Sequence, residues 1–423
     1  MNKNPSIAFV GMTHLGLISS VAAAEKRFNV TAFDSDNSKI KDLAKGNLPI
    51  SEPKLADLIL KNSKLLNFTS DENALACCDV IYVAPDVNTD DDGRSDLNIL
   101  NNLLNLVFRV AKQEVTIVIL SQVPPGFTRQ KWDGKRNLYY QVETLIFGQA
   151  IDRALFPERF IIGCAEPKDS ITKEYKKFLK AYECPILPMR YESAELAKIS
   201  INMFLVSSVS TTNIIAELCE KIGADWSEIV PSLRLDKRIG SWAYLSPGLG
   251  VSGGNLERDL TTFCNFSDDL DVNANVVKAW ISDSKYRKNW PLRALKKIEM
   301  QGNCILTIGI LGLSYKEDTH STKNSPALQI ISQLSDYKLR VYDPQVVWNK
   351  RWHNNTIVCH NAEDVIKDID LLMILTPWKE FYEIDYQASD KNKRLDFIID
   401  PYGVTKSNNR ELSDYKSLIL GKS

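Results

Sequence analysis

The chain is 423 residues long, 44% hydrophobic and 25% charged, and its 52 Lys+Arg against 53 Asp+Glu leave a formal net charge of −1. That length exceeds one comfortable core and predicts two or three domains, while the balanced charge, with no basic stripe, argues against nucleic acid as a partner. The opening residues carry no signal-peptide pattern and no apolar span of about 18 residues runs uninterrupted, so the expectation is a cytoplasmic protein that does not enter a membrane. The 8 cysteines show neither CxxC nor Cys/His spacing and there are only 4 histidines, which predicts reduced core thiols and no metal site.

The first elements read strand, glycine turn, helix, strand. "SIAFVG" (residues 6–11) is a short apolar β-rich run, "HLGLISSVAAAEKR" has helical period, and "NVTAFDSD" ends a second strand on Asp34. The turn, "GMTHLG", is a reduced dinucleotide fingerprint. Gly11 and Gly16 fit, Thr13 replaces the middle glycine, and His14 and Leu15 complete the stretch. Such a turn brings a pyrophosphate to a helix N-terminus. Asp34, about 20 residues on, suits a ribose hydroxyl and repels a 2′-phosphate, favouring NAD over NADP. A generic tight turn is the alternative. Strands at 79–85 and 115–121, with a helix between them, extend the pattern to a mostly parallel, doubly wound sheet.

From residue 193 about 30 residues run at helical spacing without a turn signal, predicting one long helix that stops at Gly223. Helical character continues to about Lys297. Lys198 and Asn202, at i and i+4, project from one face of the long helix; a lysine there can stabilise an alkoxide, and a solvated helix face is the plainer reading. Between the helices, "PGLGVSGGNLERDL" (residues 247–260) concentrates glycine at an entropic cost that suits a loop closing on a charged or sugar ligand. Asp259 at its end could act on that ligand or cap the next helix. Near Cys304 the βαβ pattern returns, with a strand ending on Asp343. The prediction is therefore an α/β protein of three parts: a Rossmann-like domain over 1–192, a helical middle over 193–300 and a second Rossmann-like domain over 301–423. Two such folds suggest two nucleotide ligands.

Taken in order, these stretches resemble the UDP-glucose/GDP-mannose dehydrogenase family over essentially the whole chain. "GMTHLGL" is similar to its first glycine motif, and "FDSDNSKI" carries its acid, Asp34, with Lys39 five residues later. "LPISEPKL", "SQVPPGFT", "VETLIFGQAIDRALFPERFIIG", "AELAKISINMF", "DKRIGSWAYLSPGLG", "ILGLSYKEDTHSTKNSPAL" and "VYDP" follow in the family's sequence. The resemblance implies oxidation of the C6 alcohol of a nucleotide sugar to a carboxylate, with two NAD taking four electrons. It places Gly11, Thr13, His14, Leu15, Gly16, Asp34, Lys39, Gln122 and Lys323 at the cofactor. Arg238, Tyr244, Ser246, Gly248, Gly250 and Lys316 fall at the sugar nucleotide, and Glu143, Lys198, Asn202 and Asp259 at the chemistry. It also implies a homodimer or higher homo-oligomer, with Arg238 reaching a neighbouring subunit's site.

The departures sit where the family reacts. Its glycine loop ends Gly-Gly-Ser-Cys-x-Pro-Lys-Asp; here "SGGNLERD" sets Asn255 in place of the cysteine, Glu257 of the proline and Arg258 of the lysine. Gln122 replaces a threonine, Phe147 a glutamate and Lys323 an arginine. The family's cysteine captures the intermediate aldehyde for a second oxidation, which an amide cannot do. Three expectations remain open: a dehydrogenase of altered outcome with Asn255 in contact with the sugar, full four-electron oxidation without the cysteine through a hydrated aldehyde, or a redox-inactive sugar-nucleotide-binding or regulatory protein. Cys264, nine residues on, is poorly placed to substitute.

Overall fold

The computed structural model describes residues 4–50, 52–88, 95–167, 171–389, 394–406 and 415–422, and of Asn255 the backbone alone; that side chain lies outside the described residues. Contacts divide the chain into two compact units, residues 1–201 and 202–423.

The first unit is built on β1 (Ile7–Val10), β2 (Val30–Phe33), β3 (Leu66–Thr69), β4 (Val80–Val83), β5 (Thr116–Ile119), β6 (Asn137–Gln141), β7 (Phe160–Cys164) and β8 (Ile186–Arg190). Their order is β3-β2-β1-β4-β5-β6-β7-β8, parallel except between β6 and β7. β1, β4 and β5 are buried along their whole length, as strands covered on both faces must be. Leu17, Ile18 and Val21 of the helix His14–Glu25 pack into one core, and Leu100, Leu104 and Val107 of the helix Asn98–Val110 into another. The strand order reverses between β1 and β4, which is where an open α/β sheet leaves a crevice for ligands.

The second unit holds most of the helix Tyr191–Ile222, then Trp226–Leu235, Asn255–Asp269, Asn275–Lys288 and Trp290–Met300. The long helix ends as expected at Gly223, whose φ of +79° turns the chain out of the helix. By length and composition it is long and apolar enough to cross a membrane, and 44% of its most apolar window is buried within the fold. A second sheet follows: β9 (Thr307–Leu311), β10 (Lys338–Tyr342), β11 (Thr356–Val358), β12 (Leu371–Ile374), β13 (Phe397–Ile399) and β14 (Lys416–Leu418). Its order is β11-β10-β9-β12-β13-β14, all parallel. Both sheets are doubly wound, as the alternating pattern predicts.

The two sheets repeat one device. After β1, Gly11 takes φ +98° and donates its N–H to Phe33 O at 2.9 Å, and Met12 N–H goes to Asp34 Oδ2 at 2.9 Å. After β9, Gly312 takes φ +91° and donates to Tyr342 O at 2.9 Å, and Leu313 N–H goes to Asp343 Oδ2 at 2.7 Å. Asp343 also accepts from Ser314 N–H, Gln345 N–H, Val346 N–H and the Trp378 indole. Asp343→Ala strands these buried donors and should lower stability by about 2 kcal/mol or more, read as a fall in the urea midpoint; an unchanged midpoint would show that the latch does not hold the turn.

Candidate active site

The glycine turn of the first unit is tight by necessity. A Cβ on Gly16 would lie 1.9 Å from Gly11 O, and one on Gly11 would lie 3.0 Å from Pro85 N. Backbone can therefore pass close to a ligand here, and the helix that follows starts at His14. At the end of β2, Asp34 is buried and accepts from Asp36 N–H at 3.0 Å and Lys39 Nζ at 2.9 Å as well as from Met12. The closed turn, the helix start and the strand-end acid fit a dinucleotide. Leu15 lies in the core behind them.

One group sits differently from that picture. Asp86, three residues past β4, accepts the His14 N–H on Oδ2 at 2.9 Å, and its own N–H goes to Thr13 Oγ1 at 2.8 Å. The residue keeps an exposed face, yet surrounding protein pushes its carboxyl above the usual range through desolvation, against the pull of His14 and Thr13 and with a push from Glu143. The His14 ring meets Glu52 Oε1 at 2.9 Å and stacks on Phe147 at 4.2 Å. Glu52 also accepts Gly148 N–H, which ties the 143–150 loop to the turn. Neither Asp86 nor Glu52 was expected from sequence. The signal for Asp86 was its place just past a strand beside the reversal point, and Glu52 lay inside a quoted motif to which no role attached.

On the long helix, Lys198 Nζ donates to Glu143 O at 2.9 Å and pairs with Glu143 Oε2 at 3.4 Å. Glu143 also accepts from Leu145 N–H. One turn earlier, buried Glu195 accepts Gly126 N–H at 2.5 Å and Thr128 N–H at 2.8 Å, fixing the loop that carries Gln122.

The second unit organises the glycine loop. Gly250 (φ +79°) packs against Ser284 and Gly253 (φ +78°) against Tyr315, and Gly248 N–H donates to Asn213 Oδ1 at 2.9 Å. The following helix starts at Asn255. Asp259, buried, accepts from Asn202 Nδ2 and pairs with Arg258 Nε at 3.0 Å. The Asn202 amide thus orders a carboxylate rather than the lysine one turn away. Glu257 pairs with Lys288 Nζ at 2.5 Å and accepts from Asn324 Nδ2. Lys323 lies against Gly254, and the Lys316 ammonium stands 5.9 Å from the Tyr315 ring centre. Arg238 is exposed and pairs with Asp236 at 2.6 Å; Tyr244 and Ser246 are exposed beside it in sequence. Cys264 is buried in the helix that Asn255 begins, and burial pushes its thiol up, away from the reactive thiolate.

Three family models match this chain: the NAD binding domain of the UDP-glucose/GDP-mannose dehydrogenase family at residues 5–181, its central domain at 192–283 and its UDP binding domain at 309–407. The chain belongs to the UDP-glucose/GDP-mannose dehydrogenase family. A UDP-glucose 6-dehydrogenase of Rickettsia conorii is 30% identical over 420 residues, covering 93% of this chain and 94% of the relative. One from Bacillus subtilis is 29% identical over 414 residues, covering 93% and 92%. In fold, the chain matches a UDP-glucose dehydrogenase of Pyrobaculum islandicum with a TM-score of 0.83 at 22% identity over 98% of each chain. It matches a UDP-D-ManNAc dehydrogenase of Pyrococcus horikoshii with a TM-score of 0.84 at 22% identity over 99% of each.

The protein is thus a member of a family of NAD-dependent oxidoreductases acting on nucleotide sugars, with NAD its cofactor. The turn at residues 11–16 and Asp34 would hold NAD, which when bound supplies the hydride acceptor. Lys198→Ala should lower the NADH production rate by about 10²–10³ while NADH binding, followed by fluorescence, stays unchanged; equal activity would remove Lys198 from the chemistry.

Proposed function

We propose that the protein oxidises a CH–OH carbon of a UDP- or GDP-hexose and stops after one hydride transfer, because Asn255 stands where the family has its cysteine. The observation that carries this reading is the start of the helix Asn255–Asp269: the glycine loop and its acid are retained, and the nearest thiol along the chain, Cys264, is buried two and a half turns on. In the oxidation, the C–H electron pair leaves as hydride and the hydroxyl proton goes to a base, leaving a carbonyl. Asp259, held by Asn202 and Arg258, is the proton acceptor. The Lys198 ammonium, held by Glu143, stabilises the developing alkoxide. A second oxidation needs an added nucleophile, and an amide is too weak to provide it.

The relatives' names point to UDP-glucose and UDP-N-acetylmannosamine as the first substrates to try, with Arg238, Tyr244, Ser246, Gly248, Gly250 and Lys316 at the nucleotide sugar and Gln122 and Lys323 near the cofactor. The setting is the cytoplasm and supply of sugars for a polysaccharide. A homodimer fits the second unit, which exposes Trp242 (94%), Leu235 (83%) and Phe204 (77%) together with Ile214, Leu218 and Ile222. Trp242→Glu should then shift the mass measured by light scattering toward the monomer; a monomeric parent protein would end the dimer reading.

The replacements at Gln122, Phe147 and Asn255 favour a second reading, a sugar-nucleotide binder without turnover. Absorbance at 340 nm with limiting sugar separates the two. One NADH per sugar is expected, and Asn255→Cys should raise the yield toward two by restoring thioester chemistry. Two NADH from the parent protein would overturn the early stop. None, with sugar nucleotide still bound, would select the binder.

A further inference from the structure

We propose that Asp86 occupies the anion position of the glycine turn, so that NAD binds only by displacing this carboxylate, and that Asp86 thereby sets the protein's affinity for its cofactor. A helix that follows β1 in such a sheet offers its first N–H groups to a pyrophosphate. Here the N–H of the first helical residue, His14, is already given to the Asp86 carboxylate. The clasp is two-sided, since Thr13 Oγ1, which stands where the fingerprint has its middle glycine, holds the Asp86 N–H.

The second sheet provides an internal comparison. Ala84 N–H donates to Val10 O at 2.8 Å, and Leu375 N–H donates to Leu311 O at 2.8 Å, so the two turns correspond residue by residue. A Cβ on Gly11 would meet Pro85, and a Cβ on Gly312 would meet Thr376. The counterpart of Asp86 is therefore Pro377, which is uncharged. The same latch forms without a carboxylate at that position, so the turn does not need one.

The titratable groups bearing on Asp86 are His14, whose ring is engaged by Glu52, and Glu143, which adds like charge. Desolvation already disfavours the ionised form. An anionic ligand brought to the same N–H meets a second negative charge, and binding then carries the cost of moving or protonating Asp86. A capping role alone makes a different forecast: loss of Asp86 would lower stability without any gain in affinity.

The test uses the full chain with Asp86→Asn and Asp86→Ser, each shown to melt cooperatively. NADH is titrated by fluorescence, and ADP-ribose and adenosine by calorimetry. Both variants should bind NADH and ADP-ribose about tenfold more tightly or better, with adenosine, which has no phosphate, unchanged. The parent protein should also lose affinity as pH rises through the Asp86 carboxyl titration, because the carboxylate competes only when charged, and Asp86→Asn should lack that slope. Unchanged or weaker ADP-ribose binding in both variants, with NADH still bound, overturns the inference and leaves the NAD site intact. Equal tightening of adenosine also overturns it, since the turn would then have loosened without regard to charge. NADH bound by no form of the protein would overturn the inference and the cofactor assignment together.

Discussion

A buried carboxylate that ends a strand and accepts main-chain N–H groups is the interaction on which both sheets depend. Asp34 and Asp343 each hold the residue after a glycine of positive φ, and without that latch neither turn would aim its following segment. A charge in such a place is tolerable only when donors surround it. Asp343 has five, from four backbone N–H groups and an indole. The glycines are needed for a second reason: at residue 16 there is no room for even a methyl group.

Other polar side chains of the two units are held by the same logic. Lys198 is placed by Glu143, Asp259 by Asn202 and Arg258, and the 121–128 loop by Glu195. Glu257 ties the first turn of its helix to Lys288 and Asn324. These pairs keep the glycine loop and the first turn of the helix after it in order.

Much of the fold could be read along the chain. β1, β4 and β12 are continuous apolar runs, and β5 and β9 are so after an initial threonine, as strands covered on both faces require. β6, β7 and β8 fall in a stretch where no strand was expected. β8 carries Pro188 and exposed positions at the sheet edge, and Asn137–Gln141 mixes polar and aromatic residues, so neither shows the period that marks a strand. The glycine-turn residues and Asp34 were legible because a tight turn and its acid lie within about 25 residues of one another.

The sequence by itself determined the strand-and-helix alternation at the two ends of the chain, the glycine turn after β1 and the identity of residue 255, because these are local or covalent. Only the tertiary structure decided which acid meets which donor. Asp86 and Glu52 reach His14 across 72 and 38 residues, and Asn202 bonds Asp259 across 57 rather than the lysine one turn away. Such pairings follow from how strands order and helices pack, and no spacing along the chain encodes them.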